Sequence, residues 1–187
     1  PSAHVVRAAA ILPDGTVAAT AAGTYFVGYS SRESLFGDLP VISLMTDRDN
    51  LFDYETGIFM LGKSHDVWRD QQTEPYENWQ VHGNYSNKGK EWERPVTVDF
   101  MMSEGEHFTQ DMGMRIKGAA SRTMVQKSIR LIAREEYGKK NIKYPLLPEN
   151  ICQEDGTVLD KYKSITLRNG ANDASNSRIR DPFVSLL

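Results

Sequence analysis

The segment Met114-Arg-Ile-Lys-Gly-Ala-Ala-Ser-Arg-Thr-Met-Val-Gln-Lys-Ser-Ile-Arg-Leu-Ile-Ala-Arg-Glu-Glu-Tyr-Gly138 constrains this chain more than any other. Two basic, strand-like runs flank a turn of small residues, Gly118 to Ser121. Small residues let a backbone approach a ligand closely, and successive backbone amides in a turn form a concavity suited to an anion. The segment therefore predicts paired strands beside a phosphate or other anion site. From Arg115 to Lys143 the only acids are Glu135 and Glu136. A local positive field survives there even though the whole chain of 187 residues carries a formal net charge of -3. That balance, with a pI near 5.8, argues against nucleic acid as a partner, because a nucleic-acid surface needs a basic face to neutralise phosphates.

The pattern on either side reads mostly as strands. His4 to Ile11, a Pro13-Asp14-Gly15 turn, Thr16 to Thr20 and Thr24 to Val27 predict a β-hairpin, with a helix as the competitor for the Ala-rich run. Residues 28 to 38 mix Gly, Ser and charge and read as a linker. Leu39 to Met45 is a short apolar run suited to a buried strand, and Thr46 to Asp53 suits one helical turn capped by Thr46 or Asp47. Gly57 to Gly62 reads as another buried strand. Lys63 to Lys90 is polar, without a period, and carries Trp68, Tyr76, Trp79 and Tyr85; a loop of that length is usually functional or mobile.

Glu91 to Met102 alternates Val96, Val98 and Phe100 with Thr97 and Asp99, as a half-buried strand requires. A turn at Ser103 to Glu106 and a strand from Met112 to Lys117 follow. Ser121 to Gln126 suits one helical turn before a strand from Lys127 to Ala133, and continuous helix from 121 to 137 is the rival. Ser164 to Arg168 reads as a strand, Asn169 to Asp173 as a turn, and Asp181-Pro182 as the opening of a helix. The fold class is strand-rich α+β.

Several chemistries can be set aside. Neither Gly-x-x-x-x-Gly-Lys-Ser/Thr nor Gly-x-Gly-x-x-Gly occurs, so the common glycine-rich phosphate loops are absent. His4, His65, His82 and His107 sit in no metal-ligand spacing. His65-Asp66 is half of an acid-base pair, without a Gly-x-Ser-x-Gly nucleophile to complete it. Asp47, Asp49 and Asn50 lack the glycine and glutamate that a calcium loop needs in register. Cys152 is the one cysteine, so no intrachain disulfide forms; it reads as a small buried residue. No run approaches the ~18 apolar residues of a membrane span, and none of the start resembles a signal sequence. Because the chain opens without Met inside a strand pattern, it is expected to be a fragment whose signal peptide, if any, preceded it.

Lys127 follows a Ser-containing turn, where an ammonium can act as a point charge on a nucleotide phosphate; the other reading is a solvated lysine on a strand edge. Lys117, Arg115, Arg122 and Arg130 pose the same alternative, and their crowding favours the anion site. The aromatic residues between 68 and 92 admit stacking on a sugar or plain packing.

Seven motifs in register resemble the spore coat protein CotH family: Leu39-Pro-Val-Ile-Ser-Leu44, Asp53-Tyr-Glu-Thr-Gly-Ile-Phe59, Glu93-Arg-Pro-Val-Thr-Val-Asp-Phe100, Gly113-Met-Arg-Ile-Lys-Gly-Ala-Ala-Ser-Arg122, Gln126-Lys-Ser-Ile-Arg-Leu131, Glu136-Tyr-Gly138 and Leu167-Arg-Asn-Gly-Ala-Asn-Asp173. The resemblance implies residues 1–28 as the end of a small chitobiase-C-terminal-like β-domain, 29–38 as a linker, and 39–187 as the N-terminal part of a diverged kinase-like domain. Members are atypical protein kinases that pass phosphate from ATP to coat proteins. By that resemblance ATP, with Mg or Mn in the full-length parent, is the cofactor, and Lys127, with Lys117 and Gln126, contacts it. The implied partners are a Ser/Thr-bearing surface or coat protein and, in the alternative of a non-catalytic module, a glycan or protein. The implied setting is extracellular, at a cell surface or spore coat. The family's acidic catalytic and metal-binding segments have no counterpart before Leu187, so this chain alone is expected to be inactive and to bind ATP weakly.

Overall fold

The structure is a computed structural model that describes residues 2–28, 37, 39–102, 106–147, 151–152 and 155–170. The chain divides into two compact units, Pro1–Thr46 with Val96–Asp111, and Asp47–Pro95 with Met112–Leu187. The observed elements are strand-rich α+β, as the periodicity predicts.

In the first unit β1 (Ser2–Ile11) and β2 (Val17–Val27) form the expected antiparallel hairpin, in register from Ser2 opposite Val27 to Ala10 opposite Ala19. The Pro-Asp-Gly turn closes it: Gly15 adopts a φ of 86°, the Leu12 N–H donates to the Thr16 carbonyl at 2.8 Å, and Asp14 accepts from the Thr16 N–H at 2.9 Å. All of β1 is solvent-exposed on both faces. The hairpin is tied down near its far end, where the Thr24 N–H donates to the Asp99 carboxylate at 3.0 Å and the Thr24 and Ser43 hydroxyls lie 2.7 Å apart.

Ser43 belongs to β3 (Val41–Met45), which pairs antiparallel with β4 (Arg94–Met101). The β4 alternation holds on one face, with Val96, Val98 and Phe100 buried. Its other face departs from the expectation, because Asp99 is also completely buried. A carboxylate tolerates such a site only when its oxygens are bonded, and Asp99 accepts from Thr24, from Thr109 at 3.4 Å and pairs with His107. Both latter partners sit on β5 (His107–Lys117), which starts five residues before the expected Met112. With β6 (Ser128–Ile132) and β9 (Ser164–Leu167), the antiparallel sheet has the order β3-β4-β5-β6-β9. A small ribbon of β7 (Ile142–Lys143) and β8 (Lys161–Tyr162) completes the strands among the described residues and had no advance signal in the sequence.

In the second unit α1 (Arg48–Phe52) follows the cap residue Asp47. The buried strand expected at Gly57 to Gly62 is not formed. The chain instead doubles back on α1: the N–H of Gly57 donates to the Asp53 carbonyl, that of Ile58 to Asn50 and that of Phe59 to Leu51. Those amides are spent locally, so no ladder can use them. Gly57 permits the approach, since a Cβ there would collide with the backbone of residues 51 and 53. The polar stretch from Lys63 is not structureless either. It holds α2 (Gly62–Arg69) and single 3-10 turns at Asn78–Gln80, Asn84–Ser86 and Lys90–Trp92.

The turn between β5 and β6 is a 3-10 turn, Ala120–Thr123, so the rival continuous helix is excluded. The core of this unit includes Ile58, Tyr85, Met112, Met114, Ile116, Leu131 and Ile142. Against it lies a buried carboxylate, Glu93, clasped by Arg134 at 2.8 Å and Arg115 at 3.4 Å. The turn at Ser103 to Glu106, the linker at 28 to 38, the Asn169 to Asp173 turn and the helix at Asp181 fall wholly or largely outside the described residues. Among the described residues no helix is long and apolar enough to cross a membrane.

Candidate functional site

Two hollows flank the connection between β5 and β6, both within the second unit. They are built around Arg122, a buried guanidinium that the 3-10 turn carries inward. Its Nε donates to the Gly118 carbonyl at 2.7 Å, and its Nη1 donates to the carbonyls of Tyr85 at 2.8 Å and Asn87 at 3.0 Å. The guanidinium thus fastens the β5–β6 connection to the Asn84–Ser86 turn. Burial, and secondarily the charge of Arg115, pulls its pKa down.

Lys127 sits just before β6, on the other side of the same turn. Its ammonium donates to the carbonyls of Arg122 at 2.7 Å and Met124 at 2.9 Å, and lies 4.0 Å from the centre of the Tyr85 ring. A cation over an aromatic face and between carbonyls is well solvated by the protein itself. It is half-buried, and burial lowers its pKa. Lys127 therefore lines neither hollow. Gln126 is exposed, and its carbonyl accepts from the amide of Asn169.

The first hollow, about 160 Å³, is bounded by Asn87, Lys88 and Gly89 on one side and by Arg115, Lys117 and Arg130 on the other, with Arg122 at its back. No carboxylate lines it. Arg115, Lys117 and Arg130 converge because the antiparallel register sets Arg115 opposite Arg130, which puts like charges side by side on one face. Arg130 is steadied by the Ser164 hydroxyl at 2.8 Å from its Nη2, and Arg115 by Glu93. Lys88 and Lys117 form no ion pair with a described residue, and both are exposed. A cation-lined depression of this kind accepts an anion with several oxygens.

The second hollow, about 480 Å³, shares Lys88 and Arg122 with the first. Its walls are aromatic. Trp68 of α2 stacks on His82 with ring centres 5.8 Å apart and planes within 9°, and meets Tyr76 edge-on at 4.6 Å. Trp79 stands beside them and is 61% exposed. The start of α2 is pinned by Asn84, whose buried side chain accepts from the Ser64 N–H at 3.2 Å and donates to the Tyr54 carbonyl at 2.9 Å.

The small-residue turn plays a different part from the one its composition predicts. The space that Gly118 leaves, at a φ of 124°, is occupied by the Ser121 hydroxyl. Ala119 and Ala120 face the aromatic hollow instead of the basic one. Of the residues singled out by sequence, Lys117, Arg115, Arg122 and Arg130 come together. Lys88 and Asn84 were missed: both lie in the aperiodic polar stretch, where no local pattern marks them. Asn169 was read as part of a turn and of the last family motif; its amide spans from Ser128 to Gln126. Cys152 is half-buried rather than buried, in a loop that bends back so that its N–H meets the Thr157 carbonyl.

The histidines have different partners, although His65 and His82 both lie against Trp68. His4 meets Ser2, His65 lies by Asp66 and Trp68, His82 lies on Trp68, and His107 pairs with Asp99. Among the described residues no group of three or more His, Cys, Asp or Glu is placed to hold a metal ion. No family model, no curated protein and no solved structure matches the chain.

Proposed function

We propose that this chain carries the nucleotide side of a CotH-like atypical protein kinase and that the phosphates of ATP lie in the basic hollow. The observation that supports this most is the convergence of Lys88, Arg115, Lys117, Arg122 and Arg130 on about 160 Å³ with no acid among the lining residues. Charge-assisted hydrogen bonds to oxyanions are the strong ones, and arginine forks match phosphate geometry. Lys88 and Lys117 are the contacting ammoniums. Arg130 and Arg115 are the guanidiniums, held in place by Ser164 and Glu93.

Lys127 works one layer behind, tying the Arg122 and Met124 carbonyls that set the back wall. In the reading that the motif resemblance implies, the acceptor is a Ser or Thr of a surface or coat protein, outside the cell. Phosphoryl transfer needs metal ions and a group that positions the hydroxyl. Among the described residues no group of three or more His, Cys, Asp or Glu is placed to hold Mg or Mn, so the proposal covers phosphate binding alone.

Calorimetric titration with ATP tests the site. The Lys88→Ala/Lys117→Ala double variant is expected to bind ATP ~10-fold or more weakly, as loss of charge-assisted contacts predicts. Gln126→Ala is expected to match wild type, and tripolyphosphate to compete with ATP. Unchanged ATP affinity in the double variant, or no competition by tripolyphosphate, removes the phosphate assignment.

A further inference from the structure

The aromatic hollow touches the basic one at Lys88 and Arg122, but its walls are rings and amides. Its ring faces are of two kinds. Trp68 and His82 are stacked on one another, and Tyr76 closes on Trp68 from the edge, so no slot between parallel rings is open to receive a flat base. Trp79, 61% exposed, and Tyr76, 44% exposed, instead offer single-sided platforms. A one-sided aromatic platform suits a ring with an apolar C–H face and polar edges.

The rim supplies the polar complement. Gln72 already donates from its amide nitrogen to the Trp68 carbonyl at 2.9 Å, which orients its carbonyl oxygen as an acceptor. Gln80 already accepts from the Glu77 N–H at 2.7 Å, which leaves its amide nitrogen as a donor. One oriented acceptor and one oriented donor match hydroxyl groups, each of which donates and accepts. Both amides are held by the backbone before a ligand arrives, so little rotamer freedom remains to be lost on binding. The hollow, at about 480 Å³, has the size of a small-molecule site.

We propose that this hollow binds a β-linked pyranose oligosaccharide. In the gluco configuration its substituents are equatorial, so its C–H faces lie on Trp79 and Tyr76 while its hydroxyls meet Gln72 and Gln80. The saccharide site adjoins the phosphate site, with Lys88 and Arg122 on the shared boundary, and its ring platforms stand whether or not ATP binds.

The test is a titration of the full chain with cellotetraose and with the N-acetylglucosamine tetramer, followed by tryptophan fluorescence and calorimetry. Saturable binding of at least one is expected, ~10-fold or more weaker in Trp79→Ala through the lost ring face. Weaker binding is also expected in Gln72→Ala, and unchanged binding in Lys117→Ala, whose effect belongs to ATP. The proposal is overturned if wild type binds neither saccharide, or if Trp79→Ala and Gln72→Ala both bind as wild type does. It is also overturned if Lys117→Ala abolishes saccharide binding, or if adenosine binds more tightly than either sugar in a Trp79-dependent way.

Discussion

Glu93 shows how a single residue organises the ground beneath the site. Its side chain is fully enclosed, yet two guanidiniums reach it, from Arg134 and from Arg115. Burial of a lone carboxylate is costly, and the paired arginines offset that cost. Gly113 on β5 makes the room, because a Cβ there would strike the Glu93 carboxylate. The same carboxylate steadies Arg115, one of the cations of the basic hollow. Glu93→Gln is therefore expected to destabilise the protein by about 2–4 kcal/mol in urea denaturation, below the full cost of breaking a buried pair because both arginines reach solvent. A variant as stable as wild type would refute the clasp. Lys127 illustrates the opposite lesson at the same scale. Its place after the turn suggested a phosphate contact or a solvated edge residue, and its ammonium instead serves two backbone carbonyls and a ring.

At the scale of elements, one face of β4 obeyed its period, while the polar stretch from Lys63 folded without one. Val96, Val98 and Phe100 line one face of β4 as alternation requires. The apolar run at 57–62 had the composition of a strand, yet its amides bond back to α1. Short apolar runs carry no period long enough to separate strand from compact turn. Glycine was the better clue there. Gly62 opens α2 with a φ of 57°, and a Cβ on it would collide with the Tyr54 carbonyl and the Asn84 amide. Both strain and collision act at one position, so Gly62→Ala is expected to cost about 2–4 kcal/mol. A thermal melt reads this as a clear fall in Tm, and an unshifted melt would contradict the observed start of α2. Because Trp68 rides on α2, the same variant should also weaken any ligand of the aromatic hollow.

Across the whole molecule, the formal charge of -3 conceals a local excess of cations, and the pH response follows from groups whose ionised forms burial disfavours. Tyr137 is raised from 10.0 to about 12, first by burial and then by the charges of Glu93 and Glu136, and burial raises Tyr85 as well. A group with a raised pKa holds its proton more tightly when folded, so its stabilisation is complete below the unfolded value and is lost as pH rises through the folded one. Stability is thus expected to fall between pH 10 and about 12. Melts across that range should show a shallower fall in Tyr137→Phe, and an identical pH profile would show that Tyr137 does not contribute. Lys127 acts with the opposite sign: burial lowers its pKa below 10.5, so its contribution to stability rises as pH climbs towards that value. The sequence alone determined what is local: the hairpin and its Pro-Asp-Gly turn, the alternation of β4, the sign of the charge between Arg115 and Lys143, and the absence of glycine-rich phosphate loops. Strand period, turn chemistry and charge are carried by neighbouring residues, so they can be read along the chain. Only the tertiary structure decided which cations share a hollow, that Lys88 joins Arg115, Lys117 and Arg130 while Lys127 turns away, and that Trp68, Tyr76, Trp79 and His82 gather into one wall. Side chains distant in sequence meet through strand register and through buried tethers such as Arg122 and Asn84, whose partners no local pattern specifies.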